Sequence, residues 1–150
     1  MLISCEPKAP DGKTTVKIAG KAFQLDEALD ELTRMKGLGG RASIPDDGGM
    51  IFVFPSIQVM QFVMRDCPVA IDVAFLDNSG RVLVFHEMTP EDPRKPGESK
   101  QAYEDRLKRY SSRFPARIAV ETQGGMMKKL GLKAGDIIQF DKDSLLKRAK

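Results

Sequence analysis

The order of apolar and polar positions along the chain is mostly that of short β-strands. Positions 14–25 alternate on both sides of Gly20-Lys21, which predicts a hairpin near the start. The run Met-Ile-Phe-Val-Phe at 50–54 is apolar throughout, as in a central strand covered on both faces. Two longer runs, 70–77 and 81–88, flank a turn sequence at 77–80 and predict a second hairpin. Shorter strands are predicted at 60–64, 116–122 and 137–140.

Two segments have helical spacing. Asp26 is a suitable N-cap for a helix that ends at Gly37, with an apolar stripe of Leu25, Leu29, Leu32 and Met35. A second helix is predicted over 99–110, where charge pairs on the polar side indicate a peripheral position. Together these elements predict an α+β fold, a mainly antiparallel β-sheet or small open β-barrel with two peripheral helical segments.

The length of 150 residues suits one domain, which we place at 14–141. Prolines and a turn indicate a flexible N-terminal arm over 1–13. The segment 142–150 is predicted to be a basic C-terminal tail, because it ends in Lys147-Arg148-Ala149-Lys150. The net charge of +3 is spread along the chain, which argues against a nucleic-acid partner. We expect a monomer.

The cellular location is predicted from the cysteines and the start of the chain. Two cysteines do not form a disulfide framework, and no run has the length of a membrane span. The first residues also lack the features of a signal peptide. We therefore expect a soluble cytoplasmic protein without a membrane partner. Leu2-Ile3-Ser4-Cys5 resembles the end of a lipoprotein cleavage site, so an exported lipoprotein is expected only if the natural chain begins upstream of Met1.

A family resemblance covers roughly residues 33–140. The residues that carry it are Arg34–Leu38 with Arg41, Gly49–Phe54, Phe62–Arg65, Ile71–Asp77 with Gly80–Val82, Ala119–Glu121 with Gly125, and Gly131–Asp136. In their order and spacing they resemble the bacterial and archaeal family of domain of unknown function 192. The resemblance implies a compact, mainly antiparallel β fold with one or two helices and no established activity. The chain departs from the family pattern at Cys67, where threonine is usual, and in its longer connection at 89–110.

Asp72 and Glu87 are the most informative polar positions. If a two-residue turn closes the second hairpin, Asp72 lies opposite Phe85 and Ala70 opposite Glu87, so the carboxylates are diagonal neighbours on one partly apolar face. Two such carboxylates repel each other unless one is protonated or a cation lies between them. The candidate cations are Arg41, Arg65 and Arg34. This cluster is interpreted either as a structural ion-pair network or as a ligand site.

The favoured hypothesis is a non-catalytic module that binds an unknown small ligand or a protein partner. Its candidate ligand-binding residues are Arg41, Phe62, Met64, Asp72, Glu87 and Glu121. The alternative is a small hydrolase-like enzyme that uses the two paired carboxylates as acid and base. The hypothesis includes no cofactor.

The cysteine and histidine content argues against two other chemistries. Cys67 and the single His86 could form a thiol–imidazole pair, but a lone histidine on a strand is more often packed or exposed. We expect an ordinary thiol at Cys67. One histidine and two distant cysteines do not supply four zinc ligands, so no metal is expected.

Overall fold

The structure used here is a computed structural model that describes residues 10–150. Its elements in chain order are β1 (Lys13–Ile18), β2 (Lys21–Ala28), α1 (Glu31–Lys36), β3 (Met50–Gln58), β4 (Gln61–Phe62), β5 (Ile71–Leu76), β6 (Val82–Met88), α2 (Lys100–Arg106), β7 (Tyr110–Ser111), β8 (Ala116–Gln123), α3 (Met126–Lys129) and α4 (Lys142–Arg148). Residues 1–9 of the predicted arm lie outside the described residues.

Six strands form one sheet in the order β1-β2-β3-β8-β5-β6, while β4 and β7 form a separate pair. All neighbouring strands are antiparallel except β2 and β3, which run parallel after the crossover through α1. Ile137 and Gln139 form isolated bridges to Arg81 and Lys17, near the two edges of the sheet. The prediction of an α+β fold with a mainly antiparallel open sheet is confirmed; the sheet is not a closed barrel.

Apolar residues cover both faces of the three central strands. Met50–Val53 are all buried, and so is every residue of β5. Val53, Ala74 and Val120 belong to the core on one face. Phe52, Phe75 and Ala119 belong to the core on the other. A strand covered on both faces has no polar side, which explains the continuous apolar run in β3.

The first predicted helix begins too early and its predicted stripe is wrong. Asp30, not Asp26, is the N-cap, and its carboxylate accepts a hydrogen bond from the Thr33 amide at 2.9 Å. Asp26 lies in β2, where it forms ion pairs with Lys13 at 2.5 Å and Arg41 at 2.7 Å. None of the helix residues is buried, because β2 continues to Ala28 and leaves room for fewer than two turns. Leu32 is 81% exposed and Met35 60% exposed.

The second hairpin is present with a different register. The Asp77 amide bonds to the Arg81 carbonyl at 3.0 Å, so three residues, not two, form the turn. An irregularity next to Leu76 shifts the pairing once more. As a result Asp72 lies directly opposite Glu87 rather than diagonal to it. The extra turn residue and the bulge each move β6 by one position.

The segment 89–110 contributes buried residues at the edge of the fold. Tyr103 and Leu107 are 4% and 3% exposed, and the Tyr103 hydroxyl accepts a hydrogen bond from the Asp66 amide at 3.0 Å. Tyr110 in β7 belongs to the core beneath β4. The predicted basic segment 142–150 forms α4, in which Leu145 is buried against the opposite core.

Candidate functional site

A pocket of about 490 Å³ lies between α1, the β3–β4 connection and the central strands. The buried residues of its lining are Leu38, Phe52 and Glu121. The half-buried residues include Phe54, Phe62, Val63 and Cys67. The pocket is large enough for a small organic molecule, because ligand pockets span roughly 300–1,000 Å³.

Three phenylalanine rings give the pocket an aromatic wall. Residues two apart in a strand share a face, so β3 directs Phe52 and Phe54 to the same side. Phe62, from β4, packs edge-on against Phe52 with ring centroids 5.0 Å apart and lies 6.4 Å from Phe54. Phe75 supports Phe62 from the core, with a centroid distance of 5.2 Å. These contacts fix the rings before any ligand arrives.

Glu121 is a buried acid in this apolar wall. It lies in β8, paired with Met50 on one side and Val73 on the other, and is only 6% exposed. Within residues 10–150 its carboxyl group has no hydrogen-bond donor, and since no fully buried side-chain oxygen there lacks a partner, its oxygens reach the open space of the pocket. Burial raises the pKa of Glu121 from its ordinary 4.5 to about 8, and the charge of Arg41 only partly opposes this shift. At neutral pH the group is therefore mostly an uncharged acid.

The two arginines that line the pocket already have partners. Arg34 donates to the carbonyls of Val53 at 3.0 Å and Lys150 at 2.7 Å, and its guanidinium lies 5.0 Å from the centroid of the Phe54 ring. Arg65 forms a two-pronged ion pair with Glu104. These bonds hold both arginines in place at the pocket. Neither arginine donates a hydrogen bond to the carboxyl group of Glu121.

Cys67 and His86 do not form a thiol–imidazole pair. The His86 Nε2 atom lies 2.7 Å from the Ser111 carbonyl, and its ring packs against Phe75 and Tyr110. Cys67 lines the pocket and its thiol contacts the Arg65 carbonyl at 3.3 Å. Burial, with the nearby negative charge of Glu121, raises the pKa of Cys67 from 9.0 to about 11, so the thiol is less reactive than the ordinary one we expected.

We expect Cys67 to react slowly with alkylating agents. In a Cys5→Ser background the rate of alkylation by iodoacetamide, followed by mass spectrometry across pH, should rise with a midpoint well above 9, because only the thiolate reacts. The urea-unfolded protein is the control and should react with an ordinary midpoint near 8.5. A folded-state midpoint at or below that of the unfolded chain would contradict the burial of this thiol.

Asp72 and Glu87 lie away from the pocket. Asp72 is 1% exposed, and its two carboxylate oxygens accept hydrogen bonds from the Gly125 and Met127 amides, each at 3.0 Å. These bonds hold the turn that starts α3. Burial raises the pKa of Asp72, with the two backbone bonds acting in the opposite direction and Glu87 adding to the increase. Glu87 itself is exposed.

Replacing Asp72 with asparagine should destabilise the protein by about 2–4 kcal/mol. An amide keeps one acceptor, so one of the two buried bonds is kept, while the other is replaced by a repulsive contact between the amide N–H donor and a backbone N–H. The matched control is Asp136→Asn, since the Asp136 carboxylate accepts the exposed Lys133 amide bond at 2.8 Å. Urea midpoints measure both variants, and equal midpoints would show that Asp72 does not support the turn.

The structure distributes the six predicted site residues over four places. Phe62 and Glu121 both line the pocket. Met64 is 1% exposed and belongs to the core on the same face of the sheet. Arg41 is bound to Asp26 and acts on Glu121 through space. The remaining two, Asp72 and Glu87, form the cross-strand pair described above.

Sequence reasoning missed most of the pocket wall. Phe52 and Phe54 were interpreted only as core, although their spacing of two places both on one side of a strand. Leu38 lies in a glycine-rich loop, where no periodicity marks it as buried. Within residues 10–150 no three His, Cys, Asp or Glu side chains are close enough together to hold a metal ion. No helix in the same part of the chain is long and apolar enough to cross a membrane.

The fold and this pocket define an α+β open-sheet protein with an aromatic pocket on one face of the sheet. The chain belongs to the DUF192 family, described as "Uncharacterized ACR, COG1430", whose sequence model matches residues 14–140. This confirms the resemblance found in the sequence. No curated protein shows a significant match to the chain.

Two crystal structures share the fold. One is a protein from Sinorhizobium meliloti 1021 that is provisionally described as a transcription regulator; it has a TM-score of 0.70 and 22% identity, with 91% of this chain and 99% of that chain covered. The other is a protein of unknown function from Novosphingobium aromaticivorans DSM 12444, also with a TM-score of 0.70 and 22% identity, covering 91% of this chain and 94% of that chain. At this identity the similarity establishes the fold.

Proposed function

We propose that the protein is a non-catalytic binding module that holds a small, largely apolar organic ligand in the aromatic pocket, with Glu121 as the main polar contact. The observation that supports this most strongly is the placement of Glu121, which is 6% exposed and lines a pocket of about 490 Å³. Pockets of this kind combine apolar walls with a few polar groups that orient the ligand.

Glu121 lowers the stability of the fold. Its carboxyl oxygens reach the pocket space, but an ionised carboxylate in a wall that leaves only 6% of the residue exposed is poorly solvated and costs free energy. A leucine at this position of β8 would fit its apolar neighbours, among them Met50 and Val73. Strongly perturbed acids in a cleft are typical of functional sites. A ligand that pairs with the acid would offset the cost.

The hydrolase alternative has weaker support. It requires two carboxylates that face a cleft with room for substrate and water. Both oxygens of Asp72 are instead bonded to the backbone before α3, and neither Asp72 nor Glu87 lines the pocket. Cys67 has a raised pKa, so it also lacks the thiolate that a cysteine nucleophile needs. We therefore favour binding over catalysis.

The test is a titration of ¹⁵N-labelled protein with small neutral aromatic probes, such as benzamide and benzyl alcohol, followed by amide chemical shifts. We expect changes at Leu38, Phe52, Val63 and Glu121. Two variants separate the pocket from the rest of the surface. Val63→Trp adds a large side chain to the pocket lining, while Val59→Trp adds the same side chain at a position that is 51% exposed and outside that lining.

Each outcome decides the proposal. Binding in the pocket that is lost in Val63→Trp and kept in Val59→Trp supports it. Shift changes on another surface, or no binding by any probe at millimolar concentration, would overturn it. Cooperative thermal unfolding of both variants shows that a loss of binding does not come from a loss of the fold.

A further inference from the structure

The combination of aromatic rings and one unpaired acid narrows the chemistry of the ligand. We infer that the pocket takes a small organic ammonium ion, whose cationic head lies among Phe52, Phe54 and Phe62 and pairs with the carboxylate of Glu121. This inference rests on the proposed function, because it concerns the same pocket. In addition, it assigns a positive charge and an ammonium head group to the ligand.

The three phenylalanine rings attract the cationic head of the ligand. The face of an aromatic ring attracts a cation, and several rings around one space are the usual means of holding a methylated ammonium group. All three rings line the pocket, and Phe62 contacts both of the others. One of them already accepts a cation, since the guanidinium of Arg34 lies 5.0 Å from the Phe54 centroid.

Glu121 supplies a carboxylate that pairs with the positive charge of the ligand. A neutral apolar ligand would exclude water from its carboxyl group without offering a partner in return. An anionic ligand would disfavour the ionised form of Glu121 still further and would lack the attraction that the ring faces offer a cation. A cation instead stabilises the ionised form of Glu121, and the low polarity of the site strengthens the attraction. Of the three classes of ligand, only the cation matches both the rings and the acid.

Two of the other charged groups near the pocket are paired with carboxylates. Arg41, which faces Glu121, is paired with Asp26 at 2.7 Å. Arg65 is paired with Glu104. Arg34 donates to two backbone carbonyls, while Glu31 and Lys36 bring one charge of each sign to the outer lining. The raised pKa of Cys67 keeps its thiol neutral below about pH 10. Between pH 6 and 8 the ionisation of Glu121 changes the charge of the inner pocket, so the attraction for a cation increases over this range.

The experiment compares three probes of nearly the same shape: choline, its neutral isostere 3,3-dimethyl-1-butanol, and the anion 3,3-dimethylbutanoate. Each is titrated into the full chain at pH 8.5, with the amide shifts of Leu38, Phe52 and Glu121 as the readout. We expect choline to bind about tenfold or more tightly than the alcohol, and the anion to bind most weakly.

The pH dependence and two variants locate this preference. Choline carries a fixed charge, so its affinity should increase by about fiftyfold between pH 6 and 8, as Glu121 ionises, and then level off. Glu121→Gln should abolish both this increase and the advantage over the alcohol. Glu87→Gln, which removes an exposed carboxylate outside the pocket lining, should keep both.

The inference and the proposed function fail in different ways. If the alcohol or the anion binds in the pocket as tightly as choline, the ammonium inference is overturned while the pocket remains a binding site. If choline is preferred equally in Glu121→Gln, the assigned role of this acid is wrong. If none of the three probes shifts the pocket resonances, the ammonium inference fails too, and the aromatic probes above decide the proposed function separately.

Discussion

Replacing Glu121 with glutamine should stabilise the protein, by an amount that grows with pH. The pKa of Glu121 is raised from 4.5 to about 8 by burial, so the folded state holds a proton that the unfolded chain releases. The native chain therefore loses stability as pH rises from 4.5 to 8, and the glutamine variant, which has no proton to lose, does not. The difference should reach about 3–5 kcal/mol above pH 8 and vanish near pH 4.5.

Urea denaturation of the two proteins at pH 4.5, 6, 7 and 8.5 measures this difference. Glu31→Gln is the control, because Glu31 is an exposed carboxylate at the same pocket and its removal should give no gain in stability that grows with pH. If Glu121→Gln is equally stable or less stable than the native chain at pH 8.5, the carboxyl has a partner that the structure does not show.

Gly49→Ala should unfold or severely destabilise the protein, by more than about 4 kcal/mol. A Cβ atom on Gly49 would lie 2.0 Å from the Glu121 carbonyl oxygen and 3.1 Å from a methyl group of Leu25. Gly49 also has a φ of +141°, which side-chain-bearing residues rarely adopt. Since the obstacle is the backbone of the central strand β8, no rotation of a side chain removes it.

Gly40→Ala is the matched control. Gly40 also has a positive φ, of +79°, but a Cβ atom there would meet nothing within 4 Å. This substitution should cost only about 1 kcal/mol, from backbone strain. Denaturation followed by circular dichroism compares the two. Similar losses in both variants would show that strain, and not the close approach to β8, determines the effect at Gly49.

An element can be predicted from the sequence when its residue pattern does not depend on which strand lies beside it. The run Met50–Phe54 is apolar because both faces are covered, and that property is visible in the letters themselves. The first helix shows the opposite case. Asp26 and Asp30 are both suitable N-caps, and only the parallel pairing of Asp26 with Met50 decides that β2 continues past the first of them. That pairing depends on residues 24 positions apart.

Only part of the candidate site could be predicted from the sequence, again because the rest depends on which strands lie side by side. Phe62 and Glu121 were both proposed, but their meeting depends on β8 lying between β3 and β5, an order that local pattern does not contain. The hairpin of Asp72 and Glu87 was placed two positions out of register, because a three-residue turn and a bulge replaced the expected two-residue turn. Direct backbone contacts then gave Asp72 a structural role.

The titration midpoint of Glu121 tests the central claim most directly. It can be measured from the ¹³C shift of the side-chain carboxyl in labelled protein between pH 4 and 10, with Glu121→Gln used to assign the signal. The structure gives a midpoint of about 8, because burial without a hydrogen-bond donor disfavours the charged form. A midpoint near the ordinary 4.5 would mean that Glu121 is solvated or paired, and the pocket would lose the acid on which its proposed function depends.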